Sequence, residues 1–339
     1  MKIVVSMPLT ERRKKMLEDA AAGAEFVWLD PDDEAREKGG ALAEIADAEV
    51  LFGDFSEEEL QAAKKVRWLQ APSAGVDALV KPGTVREEAV ITSAVGAYGM
   101  AVSEHMLALT LALLKKLPAL RDCQSRSEWT DVENVGTLYG ANVLVLGFGN
   151  IGTAYARHCA EMGAHVTGLR RHVNEVKAAS PAAAVSAAYS PESAVADISA
   201  GSIEVRNISE LDDLLKDADV AAMCLPGTPE TYHIMDARRL SLMKPGAYIV
   251  NCGRGTAIDP DALAEALKSG KLAGAALDVT EPEPLPACSP LWKEARCLIT
   301  PHMAGGLRIE ETGDRIFRIA AENLKRYLKG EPLRNVAQR

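Results

Sequence analysis

The sequence predicts an α/β protein built from two doubly wound parallel sheets, and three observations carry that reading. Short apolar runs alternate with amphipathic stretches along most of the chain, so strands are separated by helices, the arrangement of a parallel sheet covered on both faces. A chain of 339 residues is long enough for two separate cores. Midway along it, the apolar run from Val143 to Leu146 meets Gly147, Gly149 and Gly152 and then a helix-forming stretch, which begins a second βαβ series.

In the first half, residues Lys2 to Met7, Glu25 to Leu29, Glu49 to Phe52, Arg67 to Gln70 and Val90 to Thr92 read as strands. Thr10 is placed as a helix N-cap with Glu11 in the first turn, and Ser56 followed by Glu57, Glu58 and Glu59 has the form of a capping box. The small residues of Ala71 to Asp77 would expose backbone amides at the carboxyl edge of the sheet, where ligands bind in such folds. A plain βα turn with a helix cap at Asp77 explains those residues equally well. Met100 to Leu117 then reads as one apolar helix ended by Pro118, linking two domains or lying in a subunit interface. His105, with Glu104 beside it, sits on that helix, where a histidine is more often structural than catalytic.

The stretch from Ala141 to Arg171 organises the rest. Gly147, Gly149 and Gly152 give a GxGxxG spacing, common by itself but specific between a strand and a helix. The first glycine allows a tight turn, the second a bare backbone near a pyrophosphate, and the third close packing of helix on strand. Thr153 to Met162 reads as the helix, ended by Gly163, and His165 to Leu169 as the next strand. Backbone amides over Gly147, Gly149, Asn150, Ile151 and Gly152 would face phosphates. Val173 to Gly201, rich in Ala, Ser and Pro, reads as an insertion beside the adenosine end of such a ligand. Strands resume at Ile203 to Val205, Val220 to Leu225, Tyr248 to Cys252, Ala275 to Val279 and Leu298 to Thr300. Arg308 to Leu328 is an amphipathic helix expected to pack back on one domain.

A net charge of −10 without a basic block argues against nucleic acid and anionic membranes as partners. No apolar run approaches about 18 residues and the N-terminus enters a strand at once, so neither a membrane span nor a signal peptide is expected, and the cytoplasm is the expected compartment. Six cysteines without CxxC spacing predict no metal site and no disulfide framework, but buried reduced thiols.

Three strand ends carry chemistry: Asn251 to Gly255, Asp278 to Pro284, and Thr300 to His302. Arg254, between glycines, can bring its planar fork to a small carboxylate. A histidine with a carboxylate partner is held in one orientation and suits proton transfer near neutral pH. These are the needs of 2-oxo acid reduction. Hydride from a nicotinamide reaches the carbonyl carbon, His302 protonates the oxygen, Glu283 supports His302, and Arg254 anchors the substrate. Glu281, two positions away, competes with Glu283 for that pairing.

In this order and together, SAGVD at 73–77, GAYGMAVSEHMLALTLAL from 96, GFGNIG at 147–152, LPGTPET at 225–231, NCGRG at 251–255, LDVTEPEPLP at 277–286 and TPHMAGG at 300–306 resemble the D-isomer-specific 2-hydroxyacid dehydrogenase family over nearly the whole length. The resemblance implies a Rossmann cofactor domain, residues 102–303, inserted in a flavodoxin-like substrate domain of residues 1–101 and 304–339. It implies catalytic Arg254, Glu283 and His302. It also implies cofactor contacts from Leu225, Pro226, Thr231, the Cys252 carbonyl and Asp278, a substrate carboxylate on the amides of Ala74, Gly75 and Val76, and a homodimer joined through the cofactor domains. Glyoxylate and hydroxypyruvate reductases are the nearest in motif, with a side-chain pocket expected near Phe55, Ala74, Tyr98, Trp292 and Met303.

Two departures stand out. Where NAD-using members of that family carry Asp at the end of the second strand, this chain has Arg170 followed by Arg171, a pair suited to a 2′-phosphate. NADP(H) is therefore the expected cofactor, with NAD as the alternative. The second departure is the length of Val173 to Gly201, expected to cover the adenosine phosphate. Competing readings are a non-enzymatic dinucleotide sensor of the same fold, a formate or phosphite dehydrogenase, and a phosphoglycerate dehydrogenase. The chain shows no basic tail, no Gln of the formate type near the histidine segment and no regulatory domain after residue 330 to favour them.

Overall fold

A computed structural model describes residues 1–31, 41–172, 202–307 and 309–338. The insertion at Val173 to Gly201 therefore lies outside the described residues, as does Arg308. The chain divides into two compact units, one of Met1–Tyr98 with Gly305–Arg339 and one of Gly99–Ala304.

The first unit holds five strands: β1 Lys2–Ser6, β2 Glu25–Leu29, β3 Val50–Gly53, β4 Trp68–Gln70 and β5 Val90–Thr92. They lie in the order β2-β1-β3-β4-β5, and every pairing is parallel. Their apolar runs are nearly continuous because both faces are buried. On one face Ile3, Val5, Phe52 and Trp68 pack with Ile316, Phe317 and Leu324 of the helix Glu310–Lys329. On the other, Val4, Leu51, Leu69 and Ile91 pack with Ile45 and Leu60. Successive residues of β1 thus feed opposite cores, as the two-residue period of a strand requires. Arg13, itself buried, is held by Asp314 at 3.0 Å and seats the last helix against the helix Glu11–Ala20. Thr10 caps that helix by accepting from the Arg13 amide, and Ser56 and Glu59 form the capping box.

The second unit holds seven strands: β6 Asn142–Leu146, β7 His165–Arg170, β8 Ile203–Asn207, β9 Val220–Met223, β10 Ala247–Asn251, β11 Leu272–Leu277 and β12 Cys297–Ile299. The order is β12-β11-β10-β9-β6-β7-β8, again parallel throughout. Chain order reverses between β6 and β9, so the loops leaving them part in opposite directions and open a crevice at the carboxyl edge.

Four expectations need correction. The single helix expected over Met100 to Leu117 is two, Gly99–Leu114 and Leu117–Ser125, and Pro118 opens the second instead of ending the first. Proline lacks only an N–H that the first helical turn leaves unpaired, and Lys116 turns the chain with φ 54°. The helix expected from Thr153 starts at Asn150, because Gly149 in extended conformation is its N-cap. Asp77 caps no helix, since residues 77–80 form turns in which the Val80 amide donates to the Val76 carbonyl. All six cysteines are unpaired, but Cys288 is exposed and Cys123 only half-buried. Strand ends also fall one to three residues from those expected: Leu225, Cys252 and Val279 lie in the loops just past β9, β10 and β11. Among the described residues, no helix is long and apolar enough to cross a membrane.

Candidate active site

The glycine turn follows β6. Gly147 has φ 93°, and a β-carbon there would stand 2.7 Å from the Cys224 carbonyl oxygen. A β-carbon at Gly152 would meet the Gly147 carbonyl oxygen at 2.3 Å, so helix and strand touch through backbone. Gly149 has nothing within 4 Å of the corresponding position, and as N-cap it offers no side chain to the helix amides. The first-turn amides of the helix Asn150–Glu161, those of Asn150, Ile151 and Gly152, therefore face a bare backbone at the positive end of the helix dipole. That cradle fits a dinucleotide pyrophosphate. Arg170 ends β7 half-buried, Arg171 beside it is exposed, and the Asn207 amide donates to the Arg171 carbonyl at 2.9 Å.

The loop after β9 is held by its own threonines. Thr231 donates its hydroxyl to the Pro226 carbonyl at 2.6 Å and accepts from the Thr228 amide at 2.9 Å, while Leu225 is buried. After β10, buried Asn251 shapes the turn that presents Arg254. Its Oδ1 accepts from the Gly253 amide at 3.0 Å and its Nδ2 donates to the Arg254 carbonyl at 2.9 Å. The sequence reading named Asn251 only as the start of a strand end. An Asn directly before a Cys-Gly turn was the available signal. Cys252 is buried, and burial pushes its thiol well above the ordinary range.

After β11, Asp278 is buried with both carboxylate oxygens engaged. Oδ1 accepts from the Thr300 hydroxyl at 2.6 Å and the Met303 amide at 2.9 Å, and Oδ2 accepts from the Ala304 amide at 3.1 Å. His105 Nε2 lies 3.1 Å from the Thr300 hydroxyl and 3.6 Å from Asp278 Oδ1, so its place is behind this turn. The turn so fixed carries His302, whose amide donates to the Asp278 carbonyl at 2.8 Å and whose φ is 47°. Histidine is one of the few residues enriched in that left-handed region.

His302 Nδ1 lies 2.5 Å from Glu283 Oε1. A carboxylate only accepts, so Nδ1 carries the proton and Nε2 is left to exchange one. The competition between Glu281 and Glu283 is resolved by reach. Glu281 Oε2 is 2.6 Å from His233 Nε2 on the loop after β9. His233 was not among the expected site residues.

The structure thus brings Glu283 to His302 and places Asp278 beneath them. Arg254 sits in the turn after β10, one strand further across the order β12-β11-β10. Ala74, Gly75 and Val76, half-buried, belong to the first unit, where Ser73 donates to the Gly75 carbonyl at 2.7 Å. Phe55 and Tyr98 also belong to the first unit, and Trp292 and Met303 to the second. Burial, with Asp54 nearby, pushes the Tyr98 phenol up to about 12. Among the described residues no cluster of His, Cys, Asp and Glu could hold a metal ion.

Known proteins resemble this chain over most of its length. The family pattern "D-isomer specific 2-hydroxyacid dehydrogenase, NAD binding domain" matches residues 107–196 and 183–304. A D-3-phosphoglycerate dehydrogenase of Methanocaldococcus jannaschii is 30% identical over 341 residues, and this chain spans 59% of that protein's length. A glyoxylate reductase of Thermofilum pendens is 29% identical over 287 residues, covering 83% of this chain and 78% of that one. Among solved structures, a D-isomer specific 2-hydroxyacid dehydrogenase family protein from Aeromonas salmonicida is 29% identical, with a TM-score of 0.80 over 99% of this chain and 98% of its own. Another of that family from Xanthobacter autotrophicus, in complex with NADPH and MES, is 25% identical with a TM-score of 0.75 over 99% and 98% of the two chains. Two parallel α/β units, a glycine turn built for a dinucleotide and a match over most of the second unit place the chain in the D-isomer specific 2-hydroxyacid dehydrogenase family, as a nicotinamide-dependent oxidoreductase acting on CH-OH donors.

Proposed function

We propose that the protein reduces a small 2-oxo acid, with glyoxylate and hydroxypyruvate the first candidates, to the D-2-hydroxy acid, and prefers NADPH to NADH. The observation that carries this is the 2.5 Å contact between His302 Nδ1 and Glu283 Oε1 at the carboxyl edge of the dinucleotide sheet. When bound, the reduced dinucleotide supplies the hydride that reaches the carbonyl carbon. His302 gives its Nε2 proton to the carbonyl oxygen, so the aldehyde or ketone becomes an alcohol and the imidazole becomes neutral. Glu283 holds the ring and stabilises its charged form before transfer. Arg254 pairs its fork with the substrate carboxylate. In the first unit, the amides of Ala74, Gly75 and Val76 are the groups the family resemblance assigns to the substrate.

In this reading the second unit holds the cofactor and the first unit the substrate. Gly147, Gly149, Asn150, Ile151 and Gly152 take the pyrophosphate, and Leu225, Pro226, Thr231 and the Cys252 carbonyl line the nicotinamide side. Asp278 Oδ2 accepts one bond where Oδ1 accepts two, and so keeps capacity for the carboxamide. Arg170 and Arg171 take the 2′-phosphate, which supports the NADPH preference, as does the NADPH complex of the Xanthobacter autotrophicus protein.

A homodimer is part of the same reading. The helix Leu117–Ser125 has no buried residue, and it leads into a stretch where Trp129, Val135 and Tyr139 are exposed with Leu117 and Leu120. Exposed large apolar side chains concentrated in one stretch of the chain suit a second copy of it. Steady-state kcat/KM for glyoxylate, hydroxypyruvate, pyruvate and a phosphorylated 2-oxo acid, each with NADPH and NADH, tests the proposal. Turnover of none of them would end it, and selective turnover of the phosphorylated acid would favour the phosphoglycerate reading.

A further inference from the structure

The loop after β11 carries two carboxylates two residues apart, and each meets a histidine on a different neighbour. Glu283 meets His302, after β12, and Glu281 meets His233, after β9, at 2.6 Å. We infer that His233 is a positioning residue: by holding Glu281 to one side it fixes the loop so that Glu283 alone faces His302. This rests on the proposed roles of Glu283 and His302.

The local geometry is specific. His233 Nε2 must be the protonated nitrogen, since Glu281 can only accept. The His233 ring stacks on Tyr232 with centroids 4.0 Å apart and planes 14° from parallel, which removes ring freedom. The His233 amide donates to the Thr256 carbonyl at 2.8 Å, so one residue grips both the turn after Arg254 and the loop of the two glutamates. Its φ is 45°, left-handed like that of His302. Backbone held in that region by its surroundings is a recurrent device at functional sites. His233 and Glu281 are both about three-quarters buried, so the pair is shielded from the screening that weakens surface contacts. Without this grip Glu281 would keep only its interaction with the Tyr232 phenol, which loosens the loop that aims Glu283 and brings a second carboxylate closer to competing for the imidazole.

The substitutions that separate positioning from mere folding exploit side-chain reach. His233→Asn keeps a residue that tolerates left-handed backbone but is too short to reach Glu281. His233→Gln restores a donor near the Nε2 position. With the wild-type enzyme turning over a 2-oxo acid, His233→Asn is expected to lower kcat about 10-fold while KM for that acid changes less than about threefold, because the loss lies in aiming the proton donor and not in gripping the carboxylate. His233→Gln and Glu281→Gln, which keep the hydrogen bond, are expected to stay within about threefold of wild-type kcat, and Glu281→Ala to follow His233→Asn. Near-UV circular dichroism and thermal midpoints establish that each variant is folded, and Glu281→Ala carries the test should His233→Asn not fold. Wild-type kcat in His233→Asn or in Glu281→Ala, or equal losses in the Asn and Gln variants, would overturn the inference. An inactive wild-type enzyme would instead overturn the proposed reaction.

Discussion

Gly255 presses on Thr280: a β-carbon at 255 would stand 1.8 Å from the Thr280 carbonyl oxygen. The loops after β10 and β11 are therefore in backbone contact, with Arg254 on one and the two glutamates on the other. Gly255→Ala is expected to push them apart and raise KM for the 2-oxo acid about 10-fold or more, since a misplacement near 1 Å is enough. Dinucleotide affinity, which the proposal places mainly at the Gly147 turn and at Arg170 and Arg171, should change less than KM, by under about threefold. Kinetics and a fluorescence titration with NADPH measure the two, and an unchanged KM would show that this contact does not place Arg254.

His302→Ala is expected to lower kcat by about 10²- to 10⁴-fold with NADPH still bound, the range for losing a general acid. Glu283→Gln should lose less, since the amide oxygen can still accept from Nδ1 but brings no charge. A larger loss in Glu283→Gln than in His302→Ala would reverse the assigned roles.

Arg170→Asp together with Arg171→Ser should move the preference from NADPH to NADH. Losing charge-assisted bonds to a phosphate amounts to about 1.5–3 kcal/mol, or roughly 10- to 100-fold in kcat/KM for NADPH. A ratio unmoved by the double substitution would place the 2′-phosphate elsewhere.

The buried cysteines set an alkaline limit. Burial pushes the Cys159, Cys224 and Cys297 thiols up to about 12. A thiol whose folded-state pKa is raised stabilises the fold fully below its unfolded value, near 9, and that contribution is lost as pH climbs toward 12. The thermal midpoint in reductant should fall steadily between about pH 9 and 11. Iodoacetamide at about pH 8.5 should label Cys288 first and spare the buried Cys159 and Cys252 until unfolding. Rapid labelling of Cys159 in folded protein would contradict its burial.

Replacing both Leu117 and Leu120 by Glu puts charge on the exposed apolar helix without touching either core. Light scattering should then report a monomer where the native chain gives a dimer. A native chain that is already monomeric would remove the proposed interface.

What the sequence revealed and what it hid divide along physical lines. Both parallel sheets were legible because neighbours such as Val4 and Val5 must be apolar on opposite faces, and the Gly147 turn because only glycine fits against the Cys224 carbonyl. Pro118 misled because proline is equally at home after one helix and at the start of the next. The choice of Glu283 over Glu281 came only from the family resemblance, since two positions in a loop differ in direction by backbone angles no spacing encodes. His233 was passed over for the same reason: its partner lies 48 residues away.

Asp278 binds the main chain at 303 and 304, not their side chains. The anchoring of the His302 turn therefore does not depend on the side chain at 303, provided it is not proline, whereas Ala304 is buried. Met303, nearly half exposed, can be exchanged for larger, smaller or polar groups while the imidazole stays where it is. A library at this single codon would test whether Met303 lines the expected side-chain pocket while the His302 turn keeps its place.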